Sequence, residues 1–394
     1  MDAATLRAWW GHKQGLDGSM TGARPAEVLA RTGWARSVAG VGPYLGLHAR
    51  AGTTRQQVDA AVAALEIHEL PAARGCTYVV PASDFALALR VAEGFSDGEM
   101  RVARTVGVTD AEIDALCVAV VDTLGKGPMD PDELRAATGG AARSLGPEGK
   151  KKGLTTTLPI ALGKLQVAGE IRRVPVNGRL DQQRYRYTLW RPNPRAAMKL
   201  STEEANTELA RRYFSWIAPA SVAELQWFSG LGVKAAKAAI EPLGLVPLPD
   251  GNGRLLLRED LEALRAFRVP KAAGHAAVSS LDGMTLLRRS VRDFIGEADG
   301  ELKVFGEKGA LALGGLSDLP HHAIFDRGRL VALWDYDPEA ARVVWAPLVA
   351  KDAALERAVS EVETFVRDEL GDARAFSLDS PKSRAPRLAA LRRM

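Results

Sequence analysis

Between residues 108 and 190, three stretches with helical spacing precede two alternating stretches around a polar turn, and no other part of the chain limits its fold so tightly. Ile113, Leu116, Cys117, Val120, Val121 and Leu124 recur on one helical face, with Thr109 placed to cap the helix and residues 125–128 to end it. A second helix is expected from Asp130 or Pro131 to Thr138, stopped by Gly139 and Gly140. A basic loop carrying Lys150, Lys151 and Lys152 comes next. Residues 155–168 then read as a third helix, with Leu158, Ala161, Leu162, Leu165 and Ala168 on one face. Residues 171–176 and 184–190 alternate as strands around Asn177 and Gly178, a hairpin signal. Three helices closed by a two-stranded wing is the winged-helix arrangement, whose third helix commonly enters the major groove of DNA.

Charge agrees with that topology. Residues 141–190 hold ten Lys or Arg against three Asp or Glu, a net of +7, which leaves −3 for the rest of a chain whose total is +4. Basic charge concentrated in this way suits a phosphate-binding surface, because neutralising phosphates releases condensed counterions. The DNA-binding residues expected are Lys150, Lys151 and Lys152 before the third helix, Thr155, Thr156, Thr157 and Lys164 on it, and Arg172, Arg173, Arg179, Arg184 and Arg186 on the wing. The bland alternative is a solvated basic face.

The pattern recurs at residues 201–257. Ser201 or Thr202 caps one helix, Ser221 a second, residues 233–240 form a third, and LVPLPDGNGRLLL supplies a hairpin around residues 250–253. The N-terminal region fits more loosely, with helices near 3–14, 25–31 and 54–65, a hairpin from 67–70 and 77–80, and a helix over 82–91. Beyond residue 270, KVFGEKGALALGG, HHAIFDRGRLVALWDYD and ARVVWAPL read as strands of a small β-barrel or mixed cap. The tail KSRAPRLAALRRM is either a second basic contact or a solvated end. The expected fold class is therefore mainly α with small β wings: tandem winged-helix domains over 1–100, 101–195 and 196–270, plus a β-rich C-terminal domain over 271–394.

Hydrophobic residues at 46% with 25% charged are the composition of a packed protein. No run of eighteen apolar residues and no secretory start is present, so a cytoplasmic location is expected. Cys76 and Cys117 cannot build a disulfide framework or a cysteine zinc site, and both read as core fillers. Six scattered histidines, of which only His321 and His322 adjoin, offer no ligand spacing, so neither a metal nor another cofactor is expected.

Four stretches, in order, carry a family resemblance: YLGLHARAG from Tyr44, ARGCTYVVPASDFALAL from Ala73, IAPASVAELQWFSGL from Ile217 and FDRGRLVALWDYD from Phe325. Together they resemble the AlkZ/YcaQ-like family of DNA glycosylases over nearly the whole chain. The resemblance implies tandem winged helices wrapped as a C around double-stranded DNA, and hydrolysis of the N-glycosidic bond of alkylated or crosslinked purines. It also implies a Gln-x-Gln or Gln-x-Asp pair just before the leucine-rich stretch, holding water near the developing sugar cation. Here that stretch is GWARSVAGVGPY, residues 33–44, and it contains neither Gln nor an acid; Arg36 and Ser37 are its nearest polar groups.

Other polar groups of the same unit are candidates: His12 and Gln14, Glu66, His68 and Glu69, and Asp84. Against each stands a structural role, His12 and Gln14 on an amphipathic first helix, Glu66 and Glu69 flanking a strand, Asp84 as a helix cap after Pro81. The catalytic residue stays unassigned. Three functions remain in play: a glycosylase with an altered catalytic group, a catalytically silent DNA binder, and a winged-helix regulator. No heptad pattern for a regulator's dimerising element is present, and a monomer is expected.

Overall fold

The computed structural model describes residues 2–394 except 183, 250–252 and 307–308. About half the chain is helical and 16% is strand. The first elements are α1 (Ala3–Lys13), α2 (Pro25–Thr32), β1 (Ala35–Arg36), α3 (Gly42–Ala51), α4 (Arg55–Ala63), β2 (Ile67–Pro71), β3 (Thr77–Pro81) and the long α5 (Phe85–Arg104). Strands β1, β3 and β2 form an antiparallel sheet in that order, so β2 is an edge strand. The two-residue β1 and the helix α3 are additions to the elements expected from periodicity.

The next group is α6 (Asp110–Leu124), α7 (Pro131–Thr138), α8 (Gly146–Lys151), α9 (Leu158–Val167), β4 (Ile171–Pro175) and β5 (Tyr185–Leu189). Thr109 caps α6 by accepting from the Glu112 amide. Asp130 and Glu133 form a reciprocal capping box on α7. Where a basic loop was expected, Lys150 and Lys151 end the short helix α8. Gly149 permits that turn, because a Cβ there would come within 2.3 Å of the Leu145 Cβ. The third helix begins at Leu158, so Thr155, Thr156 and Thr157 precede it. Ile113, Leu116, Val120, Leu134, Leu158, Leu162 and Tyr187 give this group a core of its own.

Then follow α10 (Thr202–Ile217), α11 (Val222–Ser229), α12 (Val233–Ile240), the paired β6 (Val246–Pro247) and β7 (Leu255–Leu256), and α13 (Arg258–Ala266). Ser201 and Ser221 build capping boxes with Glu204 and Glu224. Most of the turn expected at 250–253 lies outside the described residues. The C-terminal part contains β8 (His275–Val278), α14 (Gly283–Leu286), the hairpin β9 (Lys303–Gly306) and β10 (Gly309–Ala312), then β11 (His322–Asp326), β12 (Arg329–Asp337), β13 (Arg342–Pro347), α15 (Ala353–Phe365) and α16 (Pro381–Leu391). Its main sheet is open, four-stranded and antiparallel in the order β13-β12-β11-β8, with α15 and α16 packed on it, not a barrel. The basic tail is likewise no free arm. Arg384 is fully buried and binds Asp372 at 2.7 and 2.9 Å, Arg387 pairs with Asp379 at 2.9 Å, and Arg392 pairs with Asp337.

A single apolar core joins the N-terminal elements to the third group and the C-terminal part, through Trp10, Trp34, Tyr213, Trp216, Phe228, Phe294 and Phe325. Among the described residues no helix is long and apolar enough to cross a membrane.

Candidate nucleic-acid interface and carboxylate site

A cleft of about 1010 Å³ opens between the N-terminal sheet and the second group of helices. Pro71, Gly75 and Thr77 at the β2–β3 turn form one side, and Thr155, Thr156, Pro159 and Lys164 around α9 the other. Helix α5 runs beside it and contributes Phe95 and Arg104, while Arg173 and Tyr185 of the β4–β5 hairpin close one end. Acids also line it: Glu93 is paired with Arg90 and Arg195, and Asp110 with Arg104, whereas Asp97, Glu99 and Asp132 have no ion-pair partner among the described residues.

The basic segment is less free than its net charge suggests. Lys151 pairs with Glu148, Lys164 with Asp114, Arg179 with Asp181, Arg186 with Glu133 and Arg173 with Glu69. Lys152 donates to the Thr105 hydroxyl at 2.6 Å. Lys150, Arg172 and Arg184 have no ion-pair partner among the described residues, and Lys150 and Arg184 are exposed. Exposed pairs contribute little and exchange readily for phosphate, so the exposed lysines remain usable. One expected contact is corrected. Thr157 is fully buried, its hydroxyl accepting from the Arg143 amide at 3.0 Å, so it reaches no phosphate, whereas Thr156, 8% exposed, still lines the cleft. Arg179 bonds the Leu370 carbonyl at 3.0 Å, which ties the hairpin loop to the C-terminal part.

Beside the cleft, sharing Arg173 and Tyr185 with it, is a recess of about 10 Å³ lined by His68, Glu69 and Gln182 among others. That space admits roughly one water centre. Glu69 projects from β2, where its Oε2 accepts from the Ser37 hydroxyl at 3.1 Å and its Oε1 lies 3.5 Å from Arg173. Ser37 reaches it because β1 continues along β3, with the Ser37 amide donating to the Thr77 carbonyl. Burial raises the Glu69 carboxyl above the usual carboxylate range, against the opposing effects of Arg173 and Ser37. Arg36 also lowers it, while donating to the Thr77 carbonyl at 2.8 Å with its guanidinium 5.4 Å from the Tyr78 ring. His68 is 2% exposed, and neither ring nitrogen has a hydrogen-bond partner among the described residues.

The family model described as DNA glycosylase AlkZ-like matches residues 40–368, more than half of the chain. The chain belongs to the AlkZ-like DNA glycosylase family. Among solved structures it is similar to the Streptomyces sahachiroi DNA glycosylase AlkZ, at 18% identity over 95% of this chain and 98% of that one, with a TM-score of 0.70. At that identity the likeness is one of fold. No curated protein sequence matches the chain significantly.

Within this AlkZ-like frame the remaining candidate groups separate clearly. Gln14 is fully buried, donating to the Thr32 and Trp216 carbonyls at 2.7 and 3.0 Å and accepting from Arg50. Arg50 in turn binds Asp282 through two 2.8 Å contacts, so Gln14 belongs to a structural network joining α1, α3 and the start of α14. Asp84 is also fully buried, accepting from the Trp34 indole at 2.9 Å and pairing with Arg212 at 3.0 Å. It occupies the N-cap position of α5 but its side chain makes no capping bond, so the expected cap is replaced by this network. His12 bonds Asp17 at 2.6 Å, away from the cleft lining. Glu69 alone among the acids and amides singled out lines the small recess next to the cleft. Its partners Ser37 and Arg173 lie 32 and 104 residues away in sequence, and no local pattern joins them.

Proposed function

We propose that the protein binds double-stranded DNA across this cleft, using the second and third helical groups as winged helices with α9 as the groove-entering helix. Lys150, Lys151, Lys152, Thr155, Lys164, Arg172, Arg184 and Arg186 supply the phosphate contacts, and the protein acts as a monomer on alkylated or crosslinked DNA. The observation that carries this reading is the cleft itself, one wall of which is the helix flanked by the +7 segment. The opposing sheet holds a carboxylate beside it.

Chemistry at that carboxylate follows from what glycosidic cleavage requires. As the base departs, the sugar becomes cationic, and a carboxylate or a water it holds stabilises that charge. Residues 33–44 contain no group able to do so, whereas Glu69, oriented by the Ser37 hydroxyl, can hold one water in its recess. Arg173 neutralises part of the carboxylate's charge, and excision of simple alkylpurines is accordingly weak, with Glu69 carrying what remains. Salt titration of duplex binding tests the DNA reading. Affinity falls as salt rises, and replacing Lys150, Lys151 and Lys152 by Ala flattens that dependence by up to about one unit for each lost phosphate contact. Binding indifferent to salt would defeat it.

A further inference from the structure

Two of the stretches that carry the family resemblance meet at the cleft rim, where α11 packs on the turn Ala73–Gly75 between β2 and β3. The Arg74 guanidinium lies 4.1 Å from the Trp227 ring centroid and that of Arg289 lies 4.4 Å from it. Both arginines adopt left-handed backbone, with φ of 57° and 60°. Side chains larger than glycine adopt that conformation rarely, and a site holding two of them against one indole fixes the cations in place. Arg289 is neutralised by Asp318 at 2.6 Å. Arg74 donates to the Trp227 carbonyl at 3.3 Å and has no carboxylate partner among the described residues. Alongside is Phe95, 36% exposed, lying over Gly75 and Gly230, where a Cβ would approach it within 2.9 and 2.7 Å. Both glycines also have positive φ. Phe95 and Gly75 line the cleft.

We propose that this patch holds one unstacked nucleotide of DNA bound in the cleft. The exposed ring of Phe95 takes the face of the base, and the uncompensated guanidinium of Arg74 takes the adjoining phosphate. Trp227 positions Arg74 and offers no stacking face of its own. Both contacts are indifferent to base identity, since every base has a π-face and every nucleotide a phosphate. Packing alone explains why a ring covers two glycines. It does not explain why that ring stays exposed on the wall of a cleft with an unpaired cation next to it.

The inference rests on the reading that DNA occupies the cleft, and a binding comparison separates the two. The full-length chain is titrated with a paired duplex and with the same duplex carrying one extrahelical 2-aminopurine nucleotide. The wild type should prefer the bulged duplex by about tenfold, with a change in 2-aminopurine fluorescence. Phe95→Leu, which keeps an apolar cover over both glycines, should abolish the preference and the fluorescence change. Arg74→Gly, which keeps the left-handed backbone, should weaken bulged-duplex binding and lower its salt dependence by about one unit. Both variants should bind the paired duplex within about twofold of wild type, the range expected where stacking is not engaged. Equal wild-type affinity for the two duplexes overturns the nucleotide site and leaves the DNA reading standing, as does a preference that survives Phe95→Leu. Failure to bind either duplex overturns both.

Discussion

Replacing His68 by Phe should stabilise the protein at neutral pH and remove part of its acid lability. His68 sits 5.2 Å from Trp190 and 6.2 Å from Phe85, centroid to centroid, both edge-on, so an aromatic ring of similar shape keeps those contacts. Its two ring nitrogens have no partner among the described residues, and a buried polar group left unpaired costs about 1–3 kcal/mol, which Phe avoids. Burial, assisted by Arg172 and Arg173, pushes the His68 pKa down to about 3 from an ordinary 6.5. Between those values the unfolded chain binds a proton that the folded chain does not, so stability falls as pH drops below 6.5 and keeps falling until about 3. At pH 4, His68 therefore costs the wild type a further ~3 kcal/mol relative to neutral pH. Urea unfolding of both proteins at pH 7 and pH 4 measures this directly, because other titrating groups are common to both and cancel in the difference. The advantage of His68→Phe should grow by roughly that ~3 kcal/mol on acidification. An advantage that stays constant with pH, or a variant less stable than wild type at pH 7, refutes the account of an unpaired neutral imidazole.

The other predictions are briefer. Asp282→Ala leaves the 5% exposed Arg50 without its carboxylate and should cost about 3–5 kcal/mol, read as a fall in the urea midpoint. Glu69→Gln should leave paired-duplex affinity within about twofold, because the carboxylate is turned to Ser37 and Arg173 and not to phosphate, while lowering any excision by about a hundredfold or more. Arg384→Leu removes the buried member of a half-buried ion pair and should destabilise the C-terminal part without altering the salt dependence of DNA binding, as measured by differential scanning calorimetry and duplex titration.

Elements fixed by neighbours in sequence were legible. Helices α6, α7, α10, α11 and α12 announce themselves through Thr109, the Asp130–Glu133, Ser201–Glu204 and Ser221–Glu224 boxes, and apolar spacing, all within a few residues. What depended on distant partners was not. The six-residue helix α8 is too short for periodicity and rests on Gly149 meeting Leu145 and Leu154. Helix α5 runs on to Arg104, well beyond the 82–91 expected, and its second half was hidden because Gly94 and Gly98, poor helix formers, lie inside it. The C-terminal arginines resemble a solvated tail until Asp372, Asp379 and Asp337 are placed beside them. Likewise Glu69 is one strand-flanking acid among several by sequence, and only the β1-β3-β2 order sets Ser37 against it and the β4–β5 hairpin sets Arg173 over it. The Arg74–Trp227–Arg289 cluster draws on three separate regions of the chain, and Trp227 by sequence reads simply as a core residue.

The most direct test of the account follows binding and base release in the same sample. Duplex DNA carrying an alkylated purine is incubated with wild type and with Glu69→Gln, and bound DNA and abasic sites are both scored. The account predicts that both proteins bind the duplex and release it as salt rises, that abasic sites form slowly with the wild type, and that none form above background with Glu69→Gln. Robust base release that survives Glu69→Gln would contradict it.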